Sequence, residues 1–63
     1  TNINKDIVSR VQQALITAGF NPGTPDGVIG GATLRAVDEY QRSKGLPRGG
    51  LTIRTLESLG VKI

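Results

Sequence analysis

The side chains that carry covalent or metal chemistry are scarce in this 63-residue sequence. There is no Cys and no His, which removes thiol and imidazole nucleophiles, imidazole bases and the commonest zinc ligands. No Ser stands at a recognisable spacing from a base. Five carboxylates remain: Asp6, Asp26, Asp38, Glu39 and Glu57. Asp38 and Glu39 are neighbours on what reads as the outer face of a helix, a place for solvated charge rather than an acid/base pair. Asp26 has no second carboxylate nearby in sequence with which to hold a cation. No metal, cofactor or catalytic role is expected, and the chemistry left to these residues is binding.

Asp26 leads the candidates for binding. It opens Asp26-Gly27-Val28-Ile29-Gly30-Gly31-Ala32-Thr33, a loop that becomes a helix. Asp-Gly is a turn dipeptide, because the Asp side chain can bond its own backbone and Gly tolerates positive φ. The Asp26 carboxylate can fix that turn, meet a ligand, or do both. Arg35, Arg42 and Arg48 read as solvated charges, any of which can pair with a ligand carboxylate if it lies near the loop rim. Tyr40 reads as core, with a hydroxyl able to reach the surface. The candidate ligand-binding set is therefore Asp26, Gly27, Arg35, Tyr40 and Arg48. Gly30, Thr33 and Gln41 are the candidate pins of the loop.

Three helices must position these residues. From Lys5 to Ala18, the apolar positions Ile7, Val8, Val11, Ala14, Leu15 and Ala18 form one stripe at helical period, with Asn2 or Asn4 as cap. Ile16 falls opposite the stripe. Gly19 ends this helix, and Phe20 is placed to fold back onto it. A second helix is expected over 31–44, with Gly30 as cap and an inward arc of Leu34, Ala36, Val37 and Tyr40 that also takes in Thr33 and Gln41. Thr33 is assigned to the first turn of that helix. A buried amide such as Gln41 must find partners, since leaving it unbonded costs about 1–3 kcal/mol; the Asn21–Gly30 loop is the expected partner. Val28 and Ile29 are expected to dip into the core and pack this loop. After Gly45, Leu46 and Pro47, a third helix over 52–59 is capped by Thr52, with Ile53, Leu56 and Leu59 inward and Gly60 as its stop. An internal echo links Gly30-x-x-Thr33-Leu34 with Thr52-x-x-Thr55-Leu56.

A chain of 63 residues is one domain and buries only about 60% of its unfolded surface, so its core is marginal. The formal charge of +3 is a weak pull toward anionic partners. A nucleic-acid binder is disfavoured, because Asp38 and Glu39 interrupt Arg35 and Arg42 where a basic face is needed. No stretch is long and apolar enough for membrane insertion. With no initiator Met or signal peptide in the sequence, the unit 1–63 is expected to be one module of a larger protein, acting as a monomer.

Taken in order, Val11-Gln12-x-x-Leu15-x-x-x-Gly19-Phe20, Asp26-Gly27-x-x-Gly30-x-x-Thr33-x-x-Ala36-Val37, Tyr40-Gln41, Gly45-Leu46 and Thr55-x-x-x-Leu59 resemble the peptidoglycan-binding domain of bacterial cell-wall hydrolases and envelope proteins. The resemblance spans nearly the whole chain. Ile29 and Tyr40 stand where family members often carry Phe, and Gly31 where they often carry Pro. The resemblance implies an all-α, small orthogonal three-helix bundle. It implies a non-catalytic module that binds peptidoglycan through glycan or stem peptide and tethers a fused hydrolase or envelope domain. It also implies an extracytoplasmic setting in the periplasm or cell wall, whether the protein is bacterial or phage-encoded. A stem-peptide carboxylate would meet Arg side chains or helix N-terminal N–H groups, and a stem-peptide amine would meet Asp26. The alternative is a protein–protein or intramolecular docking module, for which exposed Ile16, Val61 and Ile63 would form the patch.

Overall fold

The computed structural model describes residues 4–62. Helix α1 (Lys5–Thr17) begins at Asn4, whose Oδ1 accepts the Ile7 N–H at 2.9 Å; the alternative cap Asn2 lies outside the described residues. Helix α2 (Gly31–Lys44) starts at Gly30, and the short α3 (Ile53–Leu59) at Thr52, whose hydroxyl accepts the Thr55 N–H. The expected spans hold, with Ala18 and Thr52 serving as caps instead of helical residues. No strand occurs among the described residues, so the architecture is the expected all-α trio.

All three helices close with the same bond. The N–H of the apolar residue after the glycine reaches back to the last turn: Phe20 to Leu15 at 2.8 Å, Leu46 to Gln41 at 2.8 Å, and Val61 to Leu56 at 2.9 Å. This six-to-one bond of the Schellman motif needs a left-handed residue before it, and Gly45 supplies one at φ 70°. Its effect is to turn each following side chain inward. Phe20 and Leu46 pack against the core, and Val61 is buried within it. The docking patch expected of Ile16, Val61 and Ile63 therefore does not form as drawn: Ile16 is 48% exposed, Val61 is buried, and Ile63 lies outside the described residues.

The core gathers Ile7, Val11 and Leu15 from α1, Ala36, Val37 and Tyr40 from α2, Leu56 from α3, and Val61. Helix α1 packs on both α2 and α3 and is the central element. Tyr40 ties two helices: its ring meets Phe20 edge-on at 5.5 Å between centroids, and its hydroxyl lies 2.7 Å from Ser58 Oγ of α3.

Three residues assigned to inward faces are exposed: Ala18, Leu34 (46%) and Ile53 (51%). Thr33 and Thr55 take the inward positions in the first turns of α2 and α3. At about 100° per residue, Ile53 falls on the side of α3 away from Thr55. Leu34 stands in the first turn of α2 and is exposed there, while Gln41, seven residues on along nearly the same line, is buried. Ala18 is the C-cap of α1, past the last turn that packs.

Because Leu15 is fully buried, Leu15→Ala should cost about 2–5 kcal/mol. A domain of this size has roughly 3–5 kcal/mol to lose. Urea unfolding followed by circular dichroism should find Leu15→Ala largely unfolded at 25 °C. Ile16→Ala, on the exposed face of the same turn, should shift stability by no more than about 0.5 kcal/mol.

Candidate functional site

The loop between α1 and α2 is held by one side chain, Gln12 of α1, which is completely buried. Its Nε2 donates to Val28 C=O at 3.0 Å and to Thr33 Oγ1 at 3.0 Å, with a longer contact of 3.4 Å to Asp26 Oδ1. Its Oε1 accepts the Gly27 N–H at 2.9 Å. Both donors and the acceptor of the amide are thus used. Thr33 Oγ1 passes the chain of bonds on, donating to Pro22 C=O at 3.0 Å. Gln12 and Thr33 together clasp both ends of the loop, Pro22 at its start and Gly27-Val28 near its end, between two helices.

Two local features complete the path. Asn21 Oδ1 accepts the Gly23 N–H, and Asp26 Oδ1 accepts the Val28 N–H at 2.9 Å, each a side chain closing a turn two residues on. Gly27 runs against α1 at φ +79°. A Cβ there would stand 2.8 Å from the Lys5 carbonyl oxygen and closer still to Lys5 Cγ. Only glycine fits both the backbone angle and the close approach.

Gln41 does not touch this loop, contrary to expectation. It reaches the second loop, donating from Nε2 to Gly50 C=O at 2.7 Å and to Thr55 Oγ1 at 2.8 Å, while its buried Oε1 has no partner among the described residues. The pin expected of Gln41 belongs to Gln12. Helical period gives the direction of an inward amide but not its partner, and the nearer loop in sequence takes Gln41. Val28 and Ile29 also depart from expectation, being 59% and 40% exposed. Polar bonds through Gln12 and Thr33, with buried Pro22, do the anchoring that was assigned to their side chains. Thr33 serves the loop instead of the first turn of its own helix.

A shallow cleft of about 250 Å³ lies along this loop, lined by Pro22, Gly23, Thr24, Asp26, Val28 and the start of α2 from Gly30 to Thr33. Of the expected ligand residues, Asp26 lines it, and Gly27 holds the backbone beside it. Tyr40 is in the core with its hydroxyl bonded to Ser58, away from the cleft. Arg35 is exposed on α2 but does not line the cleft. Arg48 is engaged with Asp38 in a two-point pair, Nε at 2.6 Å and Nη2 at 3.2 Å. The five residues are therefore not brought together. Gln12, which holds the loop, is given no such role in the reading of the sequence. Its signal was an amide four residues after Val8 and one after Val11, at the edge of the α1 stripe.

The Asp26 carboxyl is held below its ordinary value of 3.8, chiefly by the Val28 N–H, with smaller help from Gln12 and the charge of Lys5 outweighing a desolvation that acts the other way. A folded pKa below the unfolded one gives stability that is complete above the unfolded value and is lost as pH falls through the folded value. Asp26→Asn should therefore flatten the stability profile below about pH 4, as read from urea midpoints at several pH values. Among the described residues no group of three or more His, Cys, Asp or Glu could hold a metal ion.

The two amides predict distinct phenotypes. Gln12→Leu leaves the Gly27 N–H, the Val28 carbonyl and Thr33 without their partner, at about 1–3 kcal/mol for each buried group that stays unbonded. Amide exchange at Gly27 should accelerate well ahead of exchange in α2. Gln41→Leu should loosen residues 46–51 and leave Gly27 exchange unchanged.

Residues 4–59 match the model of the family described as "Putative peptidoglycan binding domain". No significant match is found among curated proteins or among solved structures. The family match takes in α1, the clasped loop, α2, the second loop and α3, including both amides and both threonines. By sequence and by its three-helix fold, the chain belongs to the peptidoglycan-binding domain family.

Proposed function

We propose that the chain is a non-catalytic wall-binding module whose contact surface is the cleft between the 21–30 loop and the first turn of α2. The observation that carries this reading is the clasp of Gln12 and Thr33 on that loop. A loop fixed at both ends loses little conformational freedom when a ligand settles on it, and preorganisation of that kind favours binding. The exposed Val28 and Ile29 beside it offer apolar surface that the fold itself does not use. Within a larger protein, the module would tether an attached hydrolase or envelope domain to the wall outside the cytoplasm. The attached domain's concentration at an insoluble polymer would rise without any chemistry by the module itself.

Sedimentation with purified sacculi tests the proposal. The chain should co-sediment at moderate salt, and Thr24→Arg at the cleft rim should reduce the bound fraction. Ile16→Ser, on exposed surface outside the cleft, should leave binding unchanged. A chain that stays in the supernatant would refute wall binding. Loss through Ile16→Ser with Thr24→Arg intact would move the contact surface elsewhere.

A further inference from the structure

We infer that the cleft receives the free ammonium group of an uncross-linked stem peptide, with Asp26 as the carboxylate that meets it; this rests on the wall-binding reading above. Asp26 is the one charged residue lining the cleft. Its sign is opposite to the chain's net charge of +3, so the cleft selects a cation on a protein that elsewhere favours anions. The carboxylate is already oriented. Oδ1 is held by the Val28 N–H at 2.9 Å and approached by Gln12 Nε2 at 3.4 Å, while Oδ2 has no hydrogen-bond donor among the described residues. Asp26 is exposed, so Oδ2 can accept from a ligand without giving up either existing bond. The nearest cationic influence is Lys5, whose stem lies against Gly27, yet no ion pair joins it to Asp26 among the described residues.

The rest of the lining suits an aliphatic amine. Val28, 59% exposed, stands two residues from the carboxylate and can cover the alkyl chain that carries the ammonium. The lysine of a lysine-type wall stem peptide is such a group, a methylene chain ending in an amine, whereas a diaminopimelate stem peptide sets a carboxylate beside its amine and fits less well. The glycan strand fits less well. Its N-acetylated sugars carry no cation, and sugar faces are commonly met by aromatic rings. The chain's two aromatics, Phe20 and Tyr40, pack on each other, and neither lines the cleft. A stem-peptide carboxylate would be repelled by Asp26, and Arg35 and Arg48 are not at the cleft to offset it. Cross-linking acylates the diamino acid and removes its charge. The module should therefore favour wall regions whose peptides are not yet joined.

The test is an NMR titration of the 63-residue chain with three soluble wall fragments: a muropeptide with its free amine, the same muropeptide acetylated on that amine, and the disaccharide without peptide. The free-amine fragment should shift amides between Asp26 and Thr33 and bind roughly two- to fivefold tighter than the acetylated one, the range for one exposed ion pair. Asp26→Asn keeps an oxygen for the Val28 N–H and should abolish that difference. Equal affinity for the two peptides overturns the inference while wall binding stands, and the ligand comparison holds even if the variant fails to fold. Binding of the disaccharide alone overturns it in the same way. No shift with any fragment, together with no sedimentation on sacculi, overturns both this inference and the proposed function.

Discussion

A carboxamide placed inside a small protein imposes a strict condition on everything around it. Gln12 carries two donors and one acceptor into a fully buried site, and each left unbonded would cost about 1–3 kcal/mol. The whole domain has roughly 3–5 kcal/mol of stability to set against that. The bonds from Gln12 to Gly27, Val28 and Thr33 must therefore form together, or the helices cannot close around them. Since Gly27 and Val28 are backbone partners on the loop, satisfying the amide and shaping the loop are one event. The stretch 21–30, rich in Pro and Gly, thereby acquires a fixed path, although Val28 and Ile29 give it little hydrophobic anchorage.

The same solution appears twice. Gln41 and Thr55 hold the second loop as Gln12 and Thr33 hold the first, in each case with an amide donating to a threonine hydroxyl and to a loop carbonyl. The separations differ, 21 residues from Gln12 to Thr33 and 14 from Gln41 to Thr55. When the helix ends are superposed on their closing bonds, Gln41 falls where Leu15 stands, and Gln12 lies about one turn earlier. The longer loop folds further back along its helix and is met deeper on it. The second clasp is also incomplete, since Gln41 Oε1 has no partner where Gln12 Oε1 has the Gly27 N–H. That asymmetry sets the first loop apart as the more tightly specified of the two.

Most of the fold can be read from the sequence, because period and punctuation agree. The stripe from Ile7 to Leu15, the caps at Asn4, Gly30 and Thr52, and the stops at Gly19, Gly45 and Gly60 leave little freedom in where the helices lie. What is not legible is pairing at a distance. Gln41 is correctly placed inward by its position in α2, but its partner is chosen by tertiary packing. Gln12 sits at the margin of its stripe, where a polar residue is ordinarily solvated. Val28 and Ile29 mislead because apolar residues in a loop are read as anchors, and here polar bonds hold the loop in their stead. Val61 misleads in the opposite direction, turned inward by its bond to the Leu56 carbonyl. Of the candidate ligand residues, Asp26 lines the cleft. Tyr40 is drawn into the core by packing, while Arg35 and Arg48 are exposed away from the cleft, a position that residue type alone does not reveal.

The family match spans the three helices and the loop that Gln12 and Thr33 clasp between α1 and α2. In the proposed binding role, what the clasp leaves free is one oxygen of Asp26 and the exposed side chain of Val28. The central claim is that the Gln12 amide is buried and fully bonded in the native chain. The most direct measurement is NMR of its side-chain NH₂ group, taking both the exchange rate with solvent and the nuclear Overhauser contacts. A buried, fully bonded amide should show slowly exchanging protons with contacts to Val28 and Thr33. Rapid exchange, with contacts only among residues of its own helix, would contradict it.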